Sequence, residues 1–369
     1  MEIRKKDISD VLSGLPRAVP FEPTACHVDV LFATLGFEDR THAVIDSMFH
    51  EGIETSVVLV LITYPTNEED NKKNLIHFEK YRRHIKAFVE IKYSRASFQA
   101  EVAKTVRDFC NVDSSVLLDI STTSSYVFYP LFHELLKSDI NLKVVYTEAV
   151  EYFPSQEEWK GVEESAKVER TLFTSVFEQA NFLSVGVDDV YSLNLFSEMN
   201  PGNRPSAIVL LPSFSAIRIN SIRAKDQDLN KTSNLNTYWL IGSPPAEKNK
   251  WRIEAVKKTN SVELSHPDHI KYVSTLDYTD ATMQLEHIWL DIKYDSYLSI
   301  GTLGSKMQHL GTYLFLYMHQ DIGIWVSEPT QFKAKSYTSG IGQAWEVNFA
   351  STSKILKVLD DYQQFEWFF

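Results

Sequence analysis

Gly304, Ser305 and Lys306 lie between an apolar run, Tyr297 to Ile300, and an apolar, helix-periodic segment reaching Met318. Glycine lets a ligand approach the backbone, a serine hydroxyl can donate, and lysine supplies a point charge. With the first N–H groups of a helix, these groups hold an anion, most often a phosphate. The turn offers further polar groups as far as Gln308. It is not a Walker A loop, because the second glycine and its four-residue spacing are missing. A plain helix start with an exposed lysine is the alternative reading.

Three other turns carry chemistry-bearing side chains. Ser121, Thr122 and Thr123, with Ser124 and Ser125 behind them, could hold phosphate without a lysine or simply cap a helix. Glu38, Asp39 and Arg40 follow Gly36 and resemble a holder for a ribose or a metal-bound water, with Arg40 available for an anion. A surface ion-paired turn explains them as well. Ser213 and Arg218 occupy the turn after a later strand. His266-Pro-Asp268-His269 could reach a metal but sits in a polar loop, and no histidine is read as having a ligand partner at helical spacing. No metal site is therefore expected. There is no Gly-x-Ser-x-Gly elbow, neither cysteine is read as having a histidine that would make it a thiol nucleophile, and there is no cofactor motif. Glu68, Glu69 and Asp70 read as a solvated helix start. Gly340 and Gly342, beside Tyr337 and Trp345, read either as a lid over the second-half site or as a hairpin closing that sheet.

These turns need strands and helices to bring them together. Val28–Leu35, Thr55–Ile62, Ala87–Tyr93, Val116–Ile120 and Leu142–Thr147 are apolar runs separated by helix-periodic segments, the pattern of a parallel sheet covered on both faces. The acidic segment from 153 to 204 breaks the rhythm, with one helix expected around Val168–Asn181 and turn chemistry from Asn200 to Pro205. Alternation then restarts at Ser206 and gives five more strands. Intervals agree between the halves: Ser121 to Glu148 and Gly301 to Glu328 are both 27 positions, and Pro65 to Ser121 is 56 against 57 from Pro244 to Gly301. The fold class expected is α/β, with two tandem Rossmann-like, doubly wound parallel-sheet domains. Their limits are read as a strap over 1–27, a first domain over 28–152, a connecting segment over 153–204, a second domain over 205–350 and a C-terminal helix or tail over 351–369. In such sheets ligands gather at the carboxyl ends of the strands, where these turns lie.

The chain has 369 residues, enough for two sizeable cores, with 44% hydrophobic and 23% charged residues. A net charge of -12 argues against general binding to nucleic-acid backbone, while leaving room for a small basic pocket. Cys26 and Cys110 form no CxxC pair, no signal-peptide core is visible at the start, and no run is long enough to span a membrane. A cytoplasmic chain with no membrane partner is expected.

The turn Gly304-Ser305-Lys306, its apolar helix and the next strand ending in an acid resemble CRISPR-associated Rossmann-fold (CARF) domains. In that family a small-residue, lysine-bearing turn after the fourth strand meets the loop after the first around a cyclic oligonucleotide. The resemblance places the first-strand loop at Ser213 to Ser215. It covers residues 206–345, with a weaker copy over 118–147 that lacks the lysine. The family usually dimerises one such domain and often carries a nuclease, whereas two unlike halves and no nuclease are read here. The resemblance implies a nucleotide-binding sensor or regulatory subunit in prokaryotic phage defence, with a protein effector as a further partner. The rival readings are an enzyme acting on a nucleotide or phosphoribosyl substrate, and a structural subunit without ligand.

Overall fold

The computed structural model describes residues 7–23, 27–50, 57–169, 176, 180–196, 199, 202, 204–230 and 236–366. The chain divides into two compact units, one of Met1–Tyr152 with Thr338–Phe369, the other of Phe153–Tyr337. Each has its own sheet.

In the first unit five parallel strands, Val30–Leu35, Val58–Thr63, Ala87–Lys92, Ser115–Asp119 and Asn141–Thr147, follow one another in sequence. Numbered one to five, they lie in the order 3-2-1-4-5. The first strand and residues 58–62 of the second are buried throughout, as β-branched, apolar strands packed on both faces must be. Leu31, Ala33 and Leu35 recur at period two and share one core cluster with Val44, Ile45 and Met48 of the helix Ala43–His50. Each fully buried side chain of this kind contributes roughly 1.5–3 kcal/mol. The helices Phe98–Phe109 and Ser125–Leu136 pack against each other, and the second is buried almost all round.

The limits of this unit differ from the sequence-based ones. The strand Ala344–Ser351, expected in the second domain, pairs antiparallel with Asn141–Thr147. It buries Val347 and Phe349 and leaves Asn348 and Ala350 exposed, the alternation of a strand covered on one face. The helix Thr352–Glu366 follows it and packs on the Ser125–Leu136 helix, so this C-terminal segment is core material. Thr338 and Ser339 pair with Tyr152 and Glu151, and Trp345 with Tyr146, so the strands of this stretch join the first unit and do not form a hairpin closing the second sheet. The strap also takes part: Ile8–Ser13 is helical, and Val19 and Pro20 pair with Glu346 and Trp345.

In the second unit the parallel strands are Ser206–Leu211, Asn236–Ser243, Ile270–Ser274, Tyr297–Thr302 and Gly323–Glu328, again ordered 3-2-1-4-5. Asp189–Leu193 adds an antiparallel strand beside the fifth, and the helix Gln156–Glu169 also belongs here. The segment read as a connector therefore supplies an edge. Much of the helix expected over Val168–Asn181, and part of the Asn200–Pro205 turn, lie outside the described residues.

Two close approaches fix the layers. A Cβ on Gly301 would meet Ile222 at 2.6 Å and Leu210 at 2.7 Å, so glycine is what lets the helix Ala216–Asn230 close on the sheet. On that same face the buried Asp226 carboxylate accepts from Ser299 Oγ at 2.5 Å and from Trp325 Nε1 at 2.7 Å. The helices Tyr278–Ile292 and Lys306–Met318 touch at Gly311, whose carbonyl accepts from Thr282 Oγ1 at 2.9 Å. A buried pair, His319 Nε2 and Glu286 Oε2 at 2.6 Å, ties the C-cap of the second helix to the middle of the first.

Candidate functional site

In a 3-2-1-4-5 sheet the strand order reverses between strands one and four, and the loops leaving those strands flank the crevice where ligands bind. The second unit's loops are 212–215 and 303–305. Lys306 begins the helix Lys306–Met318, and Ser305 is its N-cap. The Ser305 hydroxyl accepts from the Gln308 N–H at 3.1 Å and donates to the Thr275 carbonyl at 2.7 Å, while Gln308 Oε1 accepts from the Ser305 N–H at 2.8 Å. This is a capping box, Ser-x-x-Gln, and it was readable in the sequence. Gln308 Nε2 donates to the Ser274 carbonyl at 3.2 Å. Gly304 has no room for a Cβ beside the Gln308 carboxamide. Ser305, Gln308 and Gly304 therefore build the turn, and their polar side chains are committed within it.

Lys306 is half-buried in the first helical turn, which contains no acidic residue. A cation there opposes the helix dipole, whose N-terminus favours negative charge. A second and a third cation-capable group lie close. Arg218 is buried in the helix after the first strand; it donates to the Ser327 carbonyl and reaches Ser327 Oγ at 3.4 Å. His309, one turn into the lysine's helix, is buried, and its pKa is held well below the ordinary histidine value. Burial does most of this, and the charges of Lys306 and Arg218 add to it. Sequence reading missed His309, although its place three residues after the lysine was a signal. Thr302 ends the strand that feeds the turn, and its fully buried hydroxyl has no partner among the described residues. Ser213 accepts from the Ser215 N–H at 3.2 Å and shapes the opposite loop.

The first unit's loops are filled by their own side chains. A Cβ on Gly36 would sit 2.8 Å from Thr122 Cβ, so the two loops already touch. Thr41 Oγ1 donates to the Thr34 carbonyl at 2.7 Å and meets Thr122 Oγ1 at 3.0 Å, while Thr34 and Thr123 hydroxyls lie 2.5 Å apart. Ser121 Oγ donates to Asp119 at 2.5 Å and accepts from the Thr147 N–H at 2.9 Å. Burial lifts the Asp119 carboxyl to about 6, against the pull of those serine bonds and of Arg40.

Glu38 and Arg40 are not a surface turn: both are buried and paired at 2.8 Å. Arg40 also donates to the Thr147 carbonyl at 2.9 Å, and Thr338 Oγ1 donates to Glu38 at 2.6 Å. Burial alone would lower the Arg40 pKa, but Glu38, Tyr146 and Tyr152 carry it above its ordinary value. The structure thus brings Glu38, Arg40, Ser121, Thr122 and Thr123 together, and it engages them with one another instead of leaving Arg40 available for an anion.

Elsewhere, burial and then Asp29 push the Cys110 thiol up to about 12, which removes it as a thiolate nucleophile; Cys26 lies outside the described residues. The reading of no histidine with a partner at helical spacing does not hold. His42 and Asp46 are four residues apart and bond at 2.7 Å, and His77 joins them. The His266–Asp268 pair is exposed, at 3.5 Å.

Among the described residues no helix is long and apolar enough to cross a membrane. No family model matches the chain, and no curated protein matches it by sequence. Solved structures similar to it include a functionally unknown protein, PA1789, from Pseudomonas aeruginosa PAO1, at 8% identity and a TM-score of 0.26, covering 91% of this chain and 97% of that one. A protein described as a universal stress protein, from Pseudomonas aeruginosa UCBPP-PA14, shows 7% identity and a TM-score of 0.26 over 91% and 98% of the two chains. The cytoplasmic domain of a prokaryotic cation chloride cotransporter shows 8% identity and a TM-score of 0.24 over 83% and 96%. At TM-scores this low, these likenesses carry no weight for function, which rests on the chain's own residues.

Proposed function

We propose that the carboxyl edge of the second unit binds a nucleotide or another phosphate-bearing small molecule, and that the chain is a sensor or regulatory subunit for it. One observation carries this reading. Lys306 starts a helix where the dipole disfavours a cation, and its charge and that of Arg218 both bear on the buried His309. Two cationic groups beside a helix N-terminus, in a chain of net charge -12, make this edge the kind of small basic pocket that recruits an anion. A phosphate would meet the first N–H groups of the helix and the Lys306 ammonium together.

The test is calorimetric titration of the full chain with inorganic phosphate, a nucleoside triphosphate and a cyclic oligonucleotide, each against wild type and Lys306→Ala. Charge-assisted contacts contribute about 1.5–3 kcal/mol each, so the variant should bind its ligand roughly 10- to 100-fold more weakly. Its melting temperature should barely move. Equal affinity in the two proteins would remove Lys306 from the site. Preference for the cyclic oligonucleotide would extend the likeness to CARF domains, and turnover of any ligand would favour the enzyme reading.

A further inference from the structure

We propose that His42, Asp46 and His77 form a binding site for a first-row divalent transition cation, zinc being the reference ion. His42 closes a short 3-10 turn, Asp46 lies one turn on in the helix Ala43–His50, and His77 comes from the helix Glu68–Glu79. The spacing of four puts the first two on one helix face. Their ligand atoms and one from His77 all lie within 4.8 Å of one another. His42 Nδ1 is 2.7 Å and His77 Nδ1 3.6 Å from the same carboxylate oxygen, Asp46 Oδ2. A tetrahedral ion with bonds of about 2.0–2.1 Å to nitrogen and oxygen needs its donors roughly 3.3 Å apart. The two distances bracket that value.

The surroundings resemble those of a metal ligand set. The other Asp46 oxygen, Oδ1, accepts from the Tyr81 hydroxyl at 2.8 Å, which turns Oδ2 toward both imidazoles. The imidazoles stack with centroids 3.5 Å apart and planes 1° from parallel, so both present an edge to Oδ2. Turning the rings about their Cβ–Cγ bonds would aim both Nδ1 lone pairs at an ion beside Oδ2. Two imidazoles and one carboxylate suit zinc and its first-row neighbours, whereas magnesium and calcium prefer all-oxygen sites. Three protein ligands leave one position for water or a small anion. The plain alternative is a His–Asp hydrogen bond with a stacked neighbour, holding two helices without an ion.

Full-length protein, stripped with a chelator and titrated with Zn²⁺ against a chromophoric indicator, separates these. One tight equivalent is expected, with no competition from excess Mg²⁺. Asp46→Asn and His77→Gln should each weaken it by at least about 100-fold, and Tyr81→Phe by about 10-fold, since a hydroxyl that only orients the Asp46 carboxylate counts for less than a ligand. The double substitution His266→Gln with His269→Gln controls for surface histidines and should change nothing. A wild-type affinity retained in His77→Gln, or lost in the control, would overturn the site. If a variant fails to fold, wild-type protein loaded with Co²⁺ still decides. Intense visible bands of a four-coordinate ion support the site, and the pale spectrum of a six-coordinate one rejects it.

Discussion

The two sheets share one strand order, yet their switch points are built in opposite ways. In the first, Gly36 and Thr122 touch, a net of hydroxyls closes the loops, and Glu38 and Arg40 neutralise each other in the interior. In the second, the capping box fixes the turn, and the charges of Lys306 and Arg218 both bear on His309, whose pKa burial holds down. Topology decides where a site can be. A few loop residues decide whether it is one, by turning the same crevice into either a polar core or an anion holder. Under the proposed function, the first edge contributes to stability and the second to binding.

That contrast can be broken most severely at Arg40. Replacing it by Ala strands the buried Glu38 and should cost about 3–5 kcal/mol in urea unfolding, with ligand affinity at the second unit unchanged. A small cost combined with weakened binding would reverse the roles of the two edges. Lys306→Ala is the mirror test, losing binding and not stability. Ser305→Ala should sit between them: losing the cap costs about 1 kcal/mol of stability, and binding falls because the turn loosens.

The smallest effect expected is a pH dependence through His309. Its folded pKa is depressed, so the unfolded chain takes up a proton that the fold refuses, and stability falls as pH drops below the ordinary value of 6.5. A bound anion favours the imidazolium, so affinity should move the other way and rise a few-fold as pH falls from 8 to 6. A phosphodiester probe keeps the ligand's own ionisation out of the measurement. Loss of that rise in His309→Gln would tie it to this residue; its persistence would place the proton elsewhere.

Much of this contrast was legible in residue order. Buried parallel strands announce themselves as β-branched runs, and the loops at their ends follow from chain order alone. Ser305 and Gln308 carried a local capping signal, and His42 and Asp46 stood at helical spacing. Two things depended on distant partners. Glu38 and Arg40 look like a solvated turn until Tyr146 and Thr147, more than a hundred positions away, cover them. The strand Ala344–Ser351 reads as a continuation of the second half, because nothing in its own pattern names the edge it joins.

That late pairing bears on how the protein is made. Trp345 and Glu148, which bond across it, are 197 positions apart. At about 5–20 residues per second, the ribosome needs roughly 10–40 s between them. Throughout that interval Asn141–Thr147 carries an open backbone edge, the kind of surface on which strands of other chains add. The second unit, whose sequence falls entirely within the gap, can be complete before the first has its final strand. Of two units with the same strand order, the one begun first is the one finished last.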